Sequence, residues 1–133
     1  MLKIANNGFF WRKRVSILNL KNKFSKIKNH WQPKIIAQMN GSDLRVVKVE
    51  GEFIWHSHND TDELFFVHKG QLIMNYRDKS VIISEGEIHI VLKGVEHKPE
   101  SMKECEILII EMSGTKNTGE EGGAWTAPND EWI

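Results

Sequence analysis

Between the apolar runs GEFIW and LFFV the chain places HSHNDTDE, residues 56–63: two imidazoles one residue apart, then amides and acids ending in Glu63. Alternate side chains of a strand share a face, so His56 and His58 point the same way with Ile54, while Phe53, Trp55 and Ser57 point the other way. Glu63 starts the next run with Phe65 and Val67 on its face, and a hairpin of the two runs brings its carboxylate opposite the histidine pair. Imidazole nitrogen suits Zn, Cu, Fe and Ni, and carboxylate oxygen suits harder ions. A mixed set with open positions fits a catalytic metal better than a closed structural one. The chemistry indicated is a metal centre with three ligands from one hairpin.

A fourth ligand has to come from His30, His68, His89 or His97, and spacing alone does not choose among them. His97 follows GEIHIVLKGVEH and precedes Pro99, where the chain is extended again. His68 has the wrong parity to join Glu63 and faces outward. His30 sits at a helix end, a common place for a histidine without a ligand role. His89 has ambiguous parity and reads first as a partly exposed strand residue.

These residues lie in two patterns that resemble those of a small single-domain cupin. The first runs Gly51, His56-Ser57-His58, NDTD, Glu63, LFFVHK, Gly70, with four residues rather than five after its first glycine. The second runs Gly86, EIHIV, Leu92-Lys93-Gly94, VE, His97, KPE, Ser101. Leu92 stands where the family has proline and Ser101 where it has asparagine. Neither change removes a ligand, but the turn before His97 is set less rigidly. The compact segment between Gly70 and Gly86 is similar to that of microbial cupins. The resemblance implies an all-β fold, a single jelly-roll β-barrel. It also implies that His56, His58, Glu63 and His97 bind a divalent ion (Fe, Mn, Zn or Ni) with positions left for water, substrate or dioxygen. Without an ion, several imidazoles and a carboxylate clustered at a barrel mouth would be buried uncompensated. Phe65, Met74 and Tyr76 fall on inward parity and are candidates for the pocket wall or the core.

The elements that must hold these groups are short apolar runs separated by turn residues, from KIIAQM at residue 34 to CEILIIEM ending at residue 112, the rhythm of a sandwich or barrel. Ahead of them Leu20, Phe24 and Ile27 stand at helical spacing after Asn19, predicting an amphipathic helix of two or three turns stopped by Pro33. Residues 1–16 read as a flexible N-terminal extension. Residues 17–133 read as the cupin domain: a motif-bearing barrel over about 34–112, then a coil-like tail from Ser113 with Trp125 and Trp132 as anchors.

The 133 residues fit one domain. Cys105 is the sole cysteine and cannot form an internal disulfide. No signal peptide pattern or run of about 18 apolar residues occurs, so a cytoplasmic protein with no membrane partner is expected. The zero net charge splits into +9 over residues 1–42, which contain no acid, and −9 over the rest. This basic arm lacks a base-reading motif, so docking on an acidic surface or solvation is read ahead of specific nucleic-acid binding. Phe53 and Trp55 with Leu64 and Phe66 form an expected outer apolar stripe. A homodimer partner, or the segment around Ile35 and Ile36, would cover it. Function reads two ways. One is an enzyme acting on a small organic molecule or sugar derivative, of dioxygenase or isomerase/epimerase type. The other is a non-catalytic module that binds a small ligand or metal.

Overall fold

The computed structural model describes residues 17–133; the extension read over 1–16 lies outside them. One short helix, α1 (Leu20–Ser25), precedes seven strands. They are β1 (Lys34–Met39), β2 (Ser42–Glu52), β3 (Glu63–Lys69), β4 (Gln71–Asn75), β5 (Ser80–Ser84), β6 (Ile88–Val91) and β7 (Lys98–Met112). All ladders are antiparallel. The hydrogen-bonded order is β1-β2-β7-β3-β6, with β4 branching off β7 and β5 off β4, and no ladder among the described residues closes the sheet on itself.

Local chemistry explains the boundaries. Asn19 Oδ1 accepts the Asn22 N–H at 2.8 Å and caps α1. The helix is six residues long, shorter than expected, and ends well before Pro33. Asn40 and Gly41 both have positive φ, 50° and 72°, and join β1 to β2 as the tight turn that matches strand twist. At Gly51 (φ 79°) a bulge between Val49 and Gly51 offsets β2 from β7, and the strand ends at Glu52.

Long β7 organises the sheet. Its first residues pair with β4, and its remainder lies between β2 and β3. The expected β2–β3 hairpin is therefore absent, and residues 53–62 are an arch passing over the end of β7. Inward residues of six strands, among them Val47, Phe65, Leu72, Ile83, Val91 and Ile107, meet in one core. On the opposite face Phe24 and Ile27 of the helical segment pack with Ile36 and Val46. Phe24 also stacks on His68, with centroids 5.0 Å apart. Burying a side chain of this size stabilises by about 2–3 kcal/mol.

The expected outer stripe needs correction. Phe53 is inward (7 % exposed), on the parity of the core residues Val47 and Val49, and the alternation changes only after it, between Phe53 and the buried His56, where the chain has left strand geometry. Trp55 remains outside but is covered by the Arg77 guanidinium, 3.8 Å from its ring centroid. Ile35 and Ile36 are buried, with Ile36 in the cluster formed by Phe24, Ile27 and Val46. The tail from Ser113 is irregular. It returns along β1 through Ile35 N–H to Glu131 O (2.8 Å) and Ile133 N–H to Ile35 O (3.1 Å). Trp125 meets Phe53 edge-on at 5.7 Å. No helix of the described residues is long and apolar enough to cross a membrane.

Cys105 is fully buried, and burial pushes its thiol up to about 12. At pH 8 only about one native thiol in 10,000 is ionised, against roughly a quarter of free thiols. A disulfide reagent at pH 8 is therefore expected to label Cys105 only as fast as the protein opens, and at once in denaturant. Rapid labelling of the native protein would refute the packing of β7 described here.

Candidate metal centre

The four candidate ligands come from three separate places. His56 and His58 lie on the extended arch after β2, Glu63 is the first residue of β3, and His97 immediately precedes β7. Although the arch is not a strand, both histidines are buried and Ser57 between them is half-buried. Two main-chain hydrogen bonds hold the arch to the chain before β7: His56 N–H to His97 O at 3.0 Å and His97 N–H to His56 O at 2.9 Å. This isolated antiparallel bridge sets the two imidazoles side by side, centroids 4.3 Å apart.

Each of these two histidines then fixes its own tautomer. His56 Nδ1–H donates to Ile54 O and His97 Nδ1–H to Val95 O, both at 2.9 Å. A neutral imidazole has one donor and one acceptor nitrogen, so both Nε2 lone pairs remain free for the site. His97 Nε2 lies 3.3 Å and His58 Nε2 3.5 Å from Glu63 Oε1. One ligand atom from each of His56, His58, Glu63 and His97 lies within 4.8 Å of all the others. Donors around a shared ion at about 2.1 Å stand roughly 3–4 Å apart, so a small contraction brings the four onto one centre. His58 Nε2 is buried with no hydrogen-bond partner, as expected of a nitrogen whose partner is an ion. The donor set and this orphaned atom fit a divalent metal.

The turn before His97 has its own fastening in place of the missing proline. Gly94 (φ 78°) donates its N–H to His58 O at 2.7 Å, and Lys93 N–H donates to Asp62 Oδ1 at 2.9 Å. Both contacts tie this turn to the histidine arch. Ser101 donates from Oγ to Gln71 O (2.9 Å), holding β7 against the start of β4.

The remaining histidines have other partners. His30 Nε2 meets Glu104 at 2.8 Å and His68 Nδ1 meets Glu106 at 3.0 Å. His89 Nε2 lies 2.6 Å from the Tyr76 hydroxyl. Phe65 lines a cavity of about 40 Å³ that adjoins His56 and Glu63 and includes Trp31, Phe53 and Asn117 in its wall. Met74 is part of the core.

Sequence reading missed a buried ionic group behind Glu63. Asp43, Arg45 and Glu111 are 1 %, 1 % and 3 % exposed. Asp43 and Glu111 are cross-strand partners, and Glu111 lies on the same inward parity as Cys105, Ile107 and Ile109. The signal was available: charged residues that share inward parity with Val47 and Val49 on β2 and with Cys105, Ile107 and Ile109 on β7. Arg45 donates to Asp43 Oδ2 at 2.8 Å and approaches Glu111 Oε1 at 3.5 Å. Burial by itself raises Glu63, but the imidazoles of His58 and His97 close to it outweigh this and hold the carboxyl well below its ordinary range. Burial and the neighbouring Glu63 push Glu111 well above the range, against the opposing charge of Arg45.

Burial, then the charge of His97, lowers His56 to about 4. The unfolded chain takes up this proton below about pH 6.5 and the folded chain only near pH 4. The corresponding stability is complete above pH 6.5 and is lost on acidification, at up to about 1.4 kcal/mol per pH unit. Urea midpoints of metal-free protein should fall between pH 6.5 and 5, less so in His56→Gln; a flat profile would contradict the burial of a neutral imidazole.

With the geometry in place, comparison with known proteins supplies its context. The Cupin_2 family, a cupin domain, matches residues 44–111, the span from β2 through β7. A cupin-2 domain protein of Shewanella frigidimarina NCIMB 400 is 48 % identical with a TM-score of 0.71, covering 72 % of this chain and 94 % of that one. Protein NMB1881 of Neisseria meningitidis is 36 % identical with a TM-score of 0.69, covering 74 % and 100 % respectively. The uncharacterised protein YdbB of Bacillus subtilis strain 168 is 31 % identical over 87 residues, 57 % of this chain and 77 % of that protein. The matched span holds both histidines of the arch, Glu63 and His97, and the chain belongs to the cupin domain family.

Proposed function

We propose that residues 17–133 form one cupin domain, closed as a jelly-roll barrel, whose His56, His58, Glu63 and His97 bind a divalent metal. The centre acts on a small organic molecule in the manner of a dioxygenase. The observation carrying this reading is the convergence of three imidazole nitrogens and one carboxylate oxygen in a buried site, with His58 Nε2 lacking any other partner. Bound there, such an ion supplies Lewis acidity, a water of lowered pKa or, as iron, dioxygen chemistry.

The chain's own residues narrow the choice of substrate. The adjoining cavity is walled by aromatic and aliphatic groups, and its polar members are His56, Glu63, Glu111 and Asn117. No lysine or arginine lines it. A sugar phosphate would bring its charge to a wall without a cation, so a small, mainly uncharged molecule is the better match and the dioxygenase reading stands ahead of the isomerase. Nδ1 of His56 and His97 is committed to main-chain oxygen, so these rings orient ligands instead of relaying protons. The volume of about 40 Å³ holds only a few waters. This favours the second reading, a non-catalytic metal-binding or small-ligand module, unless the aromatic wall moves.

Elemental analysis of untagged protein, followed by oxygen uptake on small phenols, thiols or diketones, separates the two readings. Turnover with bound iron or manganese supports the oxygenase; stoichiometric metal without turnover supports the module. His58→Ala should lower metal affinity at least 100-fold. The metal-free variant should melt near the metal-free parent, since His58 Nε2 has no hydrogen bond to lose. Added metal at 100 times Kd should stabilise the parent by about 2.7 kcal/mol and leave the variant unmoved. Undiminished metal binding by His58→Ala would refute the ligand set.

We also propose a two-fold homodimer. Half-buried Leu64 and Phe66 stand beside exposed Ile90 and Ile88 in register, forming an apolar row that a second copy would cover edge to edge along β6. Sedimentation should show a dimer that Ile90→Glu converts to monomer. A monomeric parent would refute it.

A further inference from the structure

The basic segment ahead of the sheet contains two kinds of lysine. Residues 17–42 include Lys21, Lys23, Lys26, Lys28 and Lys34 and no acid. Lys23 Nζ donates to Ile133 O at 2.7 Å, and Lys34 pairs with the Glu131 carboxylate, so these two are held by the C-terminal tail. Lys26 and Lys28 are exposed, and among the described residues their ammonium groups have no partner. Together with Lys34, Asn29, Gln32 and the buried Ile27 they line a pocket of about 190 Å³.

The loop that forms this pocket is fastened at several points. Ile27 packs with Phe24, Ile36 and Val46. Trp31, with a positive φ of 61°, turns the chain between the end of α1 and Lys34. Its main-chain N–H donates to Lys48 O at 2.9 Å, and its indole N–H donates to Glu50 O at 3.0 Å. His30 bridges to Lys48 alongside it. A pocket held in this way is formed before a ligand arrives, so less conformational freedom is lost on binding.

Every polar side chain in the lining is an ammonium or an amide, and no carboxylate is among them. The three ammonium charges are offset by one acid, the Glu131 partner of Lys34, which leaves two positive charges uncompensated. Burial, then the charge of Lys26, lowers Lys23, the second cause reflecting like charges held close together. A matching ligand is a dianion with several acceptor oxygens. A phosphate monoester carries about −1.5 to −2 at pH 7 and three such oxygens, whereas a carboxylate or a phosphodiester brings a single charge.

We propose that this pocket binds a phosphate monoester group, as free phosphate or as the phosphoryl end of a small molecule. It shares no lining residue with the cavity at the metal centre, and the proposal is independent of that centre holding an ion.

The test titrates the full chain with inorganic phosphate and with glycerol phosphate at constant ionic strength, following backbone amide shifts by NMR. Saturable shifts should centre on residues 26–34 with both probes. Equal affinity assigns free phosphate as the ligand, and tighter binding of the ester assigns a phosphorylated small molecule. K26E and K28E should each weaken binding by about tenfold or more. K103E makes the same change of net charge on β7 and should leave binding unaltered. E131Q, which releases Lys34 from its partner, should tighten it. H58A should bind phosphate like the parent, which sets apart any phosphate held on a metal ion. Shifts that do not saturate, equal losses in K103E and K28E, or loss of binding in H58A would overturn the proposal without touching the metal-binding reading. Binding of a DNA duplex through Lys26 and Lys28 without saturable phosphate binding would also overturn it, assigning these lysines to a polyanion surface.

Discussion

The constraint on which this molecule turns is the burial of one carboxylate. Glu63 is 4 % exposed, at the first residue of a strand whose other inward members are Phe65 and Val67. A charge in that position is strongly unfavourable unless compensated. The compensation offered is two imidazole nitrogens at 3.3 and 3.5 Å from Oε1, with a third ring adjacent. Neutral imidazoles turn lone pairs, not positive charge, toward the carboxylate once their Nδ1 protons are directed to main-chain oxygen. His56 and His97 are fastened in that way. The arrangement is complementary to a cation and poorly complementary to itself.

Sheet topology makes such a site rigid without a dedicated scaffold. β7 runs between β2 and β3, so the arch carrying His56 and His58 must cross its end, where His97 waits. The paired main-chain bonds between His56 and His97 convert this crossing into a fixed distance between two candidate ligands. Gly94 and Lys93 add contacts from the following turn to His58 and Asp62. Positions 31 to 41 residues apart in the chain are therefore held by main-chain hydrogen bonds, one of them accepted by the Asp62 side chain.

Much of this could be read from the sequence, and the failures have definite causes. Turn chemistry at Asn40-Gly41, the Asn19 cap and the strand of KIIAQM are local, and local rules suffice for them. The parity of His56, His58 and Glu63 was legible because alternation survives in extended backbone even where ladder pairing stops. Phe53 was misplaced because the parity of His56 and His58 was carried back to it, whereas it keeps the inward parity of Val47 and Val49 and the alternation shifts in the non-strand residues before His56; no residue type announces how many positions such an irregularity spans. The β2–β3 hairpin was assumed because the two runs are sequence neighbours; the long strand inserted between them comes from 40 residues further on. Arg45 and Glu111 went unread for another reason. Charged residues are ordinarily assigned to the wet face, and only their shared inward parity on two paired strands would have argued otherwise.

The tail illustrates how far composition underdetermines a role. Its glycines and polar residues read as coil, and coil it is, yet its path is tightly specified. Gly119 has φ 54°, and a Cβ there would lie 2.0 Å from Ser57 O and 3.1 Å from His58 Nδ1. Only a residue without a side chain passes over the histidine arch at this point. Glu120 N–H then bonds Ser57 O at 3.0 Å, and Thr118, fully buried, pairs its hydroxyl with Thr126 at 2.6 Å. Beyond it Trp125 closes on Phe53 and the cavity wall. The segment that Arg45 grips from below at Thr115 and Asn129 is thus the same one that roofs His58 from above. The histidine arch and the buried Arg45 are thus held by one tail segment with no regular secondary structure.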